Sequence, residues 1–180
     1  VREDLQDTMQ KGSRVSIAAA CFSIYAYQEL KKQLEEISEL RFIFTSPTFV
    51  QENTPKERRE FYIPKLTREK SLYGTEFEVR LRNELTQKAL AKECADWVRR
   101  KVKFRSNVSG EQMPGFMTVG ESSYMPISGF TTVDLGCERG NNAYYPVQRT
   151  EAFENGRYFL SLFDEIWNDS SRLQDVTDIV

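Results

Sequence analysis

RVSIAAACFSIYAYQELKKQLEEISELRFIFT, residues 14–45, is the stretch that decides the fold. Its opening, RVSIAAACF, is short, apolar and rich in small side chains; it reads as a buried strand, although its alanines also suit a helix. Ser23 stands where an N-cap belongs, ahead of a helix running to about Ser38. After it Ile24, Tyr27, Leu30, Leu34 and Ile37 recur at intervals of three and four and make one apolar stripe, with Lys31, Lys32, Glu35 and Glu36 on the opposite side. LRFIFT, residues 40–45, is a second strand that Ser46-Pro47 stops. Strand, helix and strand in so short a span form a βαβ unit, normally with parallel strands and a right-handed crossover. The expected class is α/β, a mixed β-sheet flanked by helices.

Outward from this unit the pattern is less even. Residues 1–12 are polar, a lead-in or a short helix. Residues 47–74 are interrupted by Pro47, Pro55 and Pro64 and carry the charged run KERRE at 56–60, so they read as an exposed excursion whose Phe61, Tyr62, Ile63 and Leu66 dock on the core. Residues 75–101 hold the longest helical pattern, through Phe77, Leu81, Leu85, Leu90, Cys94, Trp97 and Val98. A strand VKFRSNV follows, then GFMTVGE, then one more strand within 144–149. Residues 151–168 form a helix whose Phe159, Leu160, Phe163, Ile166 and Trp167 are assigned to packing. Leu173, Val176, Ile179 and Val180 continue at helical spacing. The domain scheme is therefore a lead-in at 1–13, a domain at 14–169, and at 170–180 the start of a helix or linker toward a further region. A chain that opens on Val1 and stops on an unfinished pattern reads as a piece of a longer protein.

Composition sets bounds on the chemistry. With 180 residues, 39% hydrophobic and 29% charged, the chain is long enough for one globular domain that needs no disulfide or metal to fold. It has no apolar run near the roughly 20 residues of a membrane helix, and VREDLQDTMQ is too polar for a signal peptide. Cys21, Cys94 and Cys137 are scattered without a CxxC, as reduced thiols of a cytoplasmic protein would be. A net charge of -2 gives no global attraction to nucleic acid, so such binding needs a local patch. The histidine count is zero. That removes imidazole general bases, Ser-His and Cys-His nucleophile pairs, and every zinc site built on imidazole.

MPISGFTTVDLGCERGNNAYY, residues 125–145, has the composition of a polar site loop: glycines, paired threonines and an Asn-Asn pair. Thr131 and Thr132 read either as ligand contacts or as a turn whose hydroxyls bond the local backbone, and Asn141 and Asn142 either as contacts or as a turn. Glu138 with Asp134 is too thin for a metal site, and Cys137 beside Arg139 is read as an ordinary thiol. No Walker-type loop and no GxGxxG after a strand is present. Arg99, Arg100 and Lys101, followed by Lys103 and Arg105, make the one dense basic cluster. It is either a helix end that complements its dipole or a phosphate-binding patch.

Two segments together resemble phospholipase D-like nuclease domains. RVSIAAACFSIYAYQELKKQLEEISELRFIFTSPTF resembles their opening βαβ unit, and SGFTTVDLG the loop that ends their signature, H-x-K-x4-D-x6-G-S-x-N, often followed by Phe-Thr. FLSLFDEIWND resembles their terminal helix. The similarity spans residues 14–169 and is greatest to the form at the N-terminus of bacterial superfamily II helicases of the Swi/Snf type. Setting Gly129 at the family's Asn puts Gln112 at the nucleophilic histidine, Pro114 at the lysine, Val119 at the aspartate, Pro126 at the glycine and Ile127 at the serine. Family chemistry forms a phosphohistidine, and a Gln amide cannot be that nucleophile.

The resemblance thus implies a phospholipase D-like half-unit without a catalytic residue, metal or cofactor of its own. It would be a DNA-binding or docking module of an ATP-dependent helicase, with the downstream helicase domain and a second copy as further partners. Ser128, Thr131 and Thr132 are the contacts implied by family position, with Arg139, Asn141 and Asn142 beside them and Arg99, Arg100 and Lys101 as the basic patch. Two alternatives stand beside this reading: a protein-interaction or oligomerisation module that never meets nucleic acid, and a metal-dependent hydrolase using carboxylates.

Overall fold

The computed structural model describes residues 1–46, 50–51, 61–62, 84–138, 146–151 and 157–180. The βαβ unit is present as read, with β1 at Arg14–Ala19, α2 at Ile24–Glu36 and β2 at Glu39–Phe44, preceded by a short helix α1 at Arg2–Thr8. Ser23 caps α2, its hydroxyl accepting a hydrogen bond from Tyr25 N at 3.1 Å. β1 and β2 are parallel, Val15 opposite Leu40 and Ile17 opposite Phe42. Then come β3 at Val50–Gln51 and β4 at Phe61–Tyr62, an antiparallel pair apart from the main sheet. α3 at Glu84–Lys101, β5 at Val102–Asn107, β6 at Phe116–Val119, β7 at Ser122–Met125, β8 at Gln148–Thr150, α4 at Arg157–Asn168 and β9 at Leu173–Asp175 complete the order.

Seven strands form one mixed sheet in the order β8-β7-β6-β1-β2-β5-β9. β1, β2 and β5 are parallel and central, while β6, β7 and β8 on one side and β9 on the other are antiparallel. Alternation along the strands divides the core into two layers. Val15, Ile17, Leu40, Phe42, Phe44 and Phe104 face α1, α2 and α3, and Ala18, Ile43 and Phe116 face Phe163 and Trp167 of α4.

The structure refines three readings. The stretch read as a loop from Met125 begins one residue later, because residues 122–125 are a strand: the Gly120-Glu121 turn sets Val119 opposite Ser122 and Met117 opposite Tyr124. The helical spacing after Leu173 begins instead as β9, paired with β5 through Leu173 opposite Asn107. Leu173 and Val176 are both buried, which a spacing of three allows in a strand and turn as readily as in a helix. Of the two readings of the first residues, the short helix is the one observed, and Leu5 and Met9 of the α1 region belong to the core. The helix expected over 75–101 is observed from Glu84, and the one over 151–168 from Arg157; their earlier residues lie outside those described, as do most of 47–74.

One half-exposed polar knot fastens α1 to the antiparallel side. Tyr124 Oη donates to Asp4 Oδ2 at 2.6 Å, and Arg149 Nη1 reaches Asp4 Oδ1 at 2.6 Å. Burial, reinforced by the Asp4 carboxylate that accepts its proton, pushes the Tyr124 hydroxyl up to about 12. A raised folded-state value means stability that is complete below the unfolded tyrosine value, about 10, and is lost as pH rises through about 12. Urea melts across that window should show the loss in the native protein and less of it in Tyr124→Phe.

Candidate functional site

The loop after β7 lies at the carboxyl edge of the parallel strands. Met117 pairs with both Ile17 and Tyr124, so β7 leaves the sheet at the edge where β1 and β2 end. In open α/β sheets this is the edge at which ligands are bound. After a cis Met125–Pro126 bond the chain runs along the β1–α2 corner. Ala20 N donates to Ser128 O at 2.8 Å, Phe130 N to Cys21 O at 2.9 Å, and Ser23 N to Phe130 O at 2.9 Å. Ile127 N donates to Gly115 O at 2.9 Å, which holds the segment entering β6 against the same loop. Residues 112–115 and 126–132, the two ends of the stretch aligned above with the family signature, are therefore neighbours in space. Gln112, Pro114 and Ser128 are exposed there.

The inside of the loop is full. Gly129 is buried, and a Cβ on it would stand 2.7 Å from Cys21 Sγ and 2.8 Å from Asp134 Oδ2. Where the alignment sets the family's Asn, this chain has no room for any side chain unless the Cys21 thiol and Asp134 carboxylate move. Thr131 and Thr132 are 1% and 0% exposed. Their hydroxyls donate to Asp134 Oδ2 at 2.5 Å and to Glu138 Oε2 at 2.9 Å. Asp134 N in turn donates to Thr131 Oγ1 at 3.1 Å, the self-contained turn that such residues make readily. Two carboxylates thus take up the threonine hydroxyls that a ligand would otherwise meet.

Arg99, Arg100 and Lys101 lie elsewhere. They end α3 immediately before β5 begins, and Val102 pairs with Leu40 at the amino edge of β2. The basic cluster and the 126–132 loop are at opposite edges of one sheet. α2 has no basic residue in its last turn, and α3 supplies what is missing. Lys101 Nζ donates to Glu35 O and to Ile37 O, the latter at 2.7 Å, and Trp97 Nε1 donates to Leu34 O at 3.0 Å. These carbonyls are among those that a helix C-terminus leaves unpaired. Arg100 pairs with Glu35 at 3.3 Å, and Arg99 with Asp96 at 2.9 Å. Arg99 and Arg100 remain largely open to solvent, their side chains 74% and 58% exposed. Lys101→Met should therefore lower stability by roughly 1–2 kcal/mol in urea melts, while Arg99→Ala should change it by less than about 0.5 kcal/mol.

Arg139, Asn141 and Asn142 lie outside the described residues. Among the described residues the cation beside Cys137 is Arg2, which sequence reading missed because it is on α1. Burial raises the Cys137 thiol and the Glu29 carboxylate adds to this, against a smaller opposing effect of Arg2. That agrees with an unactivated thiol. None of the three cysteines is in a disulfide, and Cys94 is pushed up to about 12 by burial. Among the described residues no three His, Cys, Asp or Glu side chains come together as a metal group, and no helix is long and apolar enough to cross a membrane.

The fold defines an α/β protein with a mixed seven-stranded sheet flanked by helices. No protein-family model and no curated protein matches the chain.

Proposed function

We propose that this domain is a phospholipase D-like module that has lost phosphodiester chemistry and serves as a DNA-binding or docking domain of a larger helicase. The observation that carries the reading is the state of the signature loop. It keeps its seat against the β1–α2 corner, yet Gly129 is packed against Cys21 and Asp134, in a chain with no histidine. An imidazole nucleophile is missing and the space for the phosphate-holding Asn is filled, so the loop has become a structural brace. Phosphate contacts then fall to the exposed Arg99 and Arg100 at the other edge of the sheet, where guanidinium groups can meet a backbone without reading its sequence.

Fluorescence anisotropy with labelled duplex and forked DNA tests this. Affinity should fall steeply between about 50 and 200 mM salt, and Arg99→Ala/Arg100→Ala should weaken binding and lower the salt slope by up to about 2. Lys101 is left intact in that variant because it caps α2. A second reading, a protein-docking module that does not bind nucleic acid, is favoured by Asp134 and Glu138 in the loop and by the internal ion pairs of the two arginines. Absence of salt-sensitive binding in the folded domain would select it.

A further inference from the structure

We draw no further inference here: the strongest candidate, the groove of about 640 Å³ of mixed polar and apolar lining that Phe22, Val98, Arg99 and Asp178 border between α3 and the C-terminal turn at Ile179 and Val180, carries nothing because nothing among the described residues shows what covers it.

Discussion

Gly115→Ala is expected to lower stability by roughly 3 kcal/mol or more. A Cβ on Gly115 would stand 1.8 Å from Ile127 O and 2.9 Å from Ile127 C, both backbone atoms that cannot swing aside. Relief requires parting the entry of β6 from the 126–132 loop, which breaks the Ile127 N to Gly115 O bond. Gly110→Ala is the control. A Cβ there meets nothing within 4 Å, and only its positive φ of 74° is strained, worth about 1–2 kcal/mol. If both variants lose the same stability in urea melts, the close approach of the two segments is not what holds the loop.

Trp97→Ala should cost about 3–5 kcal/mol. Trp97 is 0% exposed, lies 4.9 Å from the Tyr27 ring and 6.5 Å from the Phe22 ring, and its indole N–H satisfies Leu34 O. Phe22 stacks in turn on Phe130 at 5.5 Å. This aromatic column joins α3 and the end of α2 to the loop at the opposite edge. Trp97→Phe retains most of the ring packing but leaves the Leu34 carbonyl without its donor, so a loss of roughly 1–3 kcal/mol is expected. Equal losses for the two variants in denaturant melts would show that packing contributes little beyond the hydrogen bond.

The parts of this fold that were legible in sequence are those decided locally. The stripe from Ile24 to Leu34 and the cap at Ser23 specify α2, and the apolar runs on each side specify parallel strands. What escaped depends on distant partners. SSYM has no aliphatic pair to mark it as a strand. Its Ser123 and Tyr124 are buried because β6 and β8 flank them and Asp4, far off in sequence, accepts from the Tyr124 hydroxyl. Leu173 and Val176 suit one turn of helix as well as a strand and turn, and only pairing with β5 decides between them.

The candidate site divides in the same way. SGFTTVDLG marks a loop that the chain does hold at the carboxyl edge of the sheet. Nothing local to Gly129 announces the Cys21 thiol against it, and nothing in RRK announces that Lys101 caps another helix. A cluster of like charges looks like a binding patch until its carbonyl and carboxylate partners are known. Of the three residues, only Arg99 and Arg100 retain exposed cationic surface for a ligand.

On the proposed reading, the 126–132 loop is a phosphate-cutting loop turned into a brace. The most direct measurement is release of nitrophenol from bis(4-nitrophenyl) phosphate by the purified domain, followed with and without added divalent metal and chelator, beside Gln112→Ala. No release above the protein-free blank is predicted in any arm. Turnover that scales with protein concentration and survives chelator would contradict the central claim, and turnover that appears only with metal would transfer the chemistry to carboxylates.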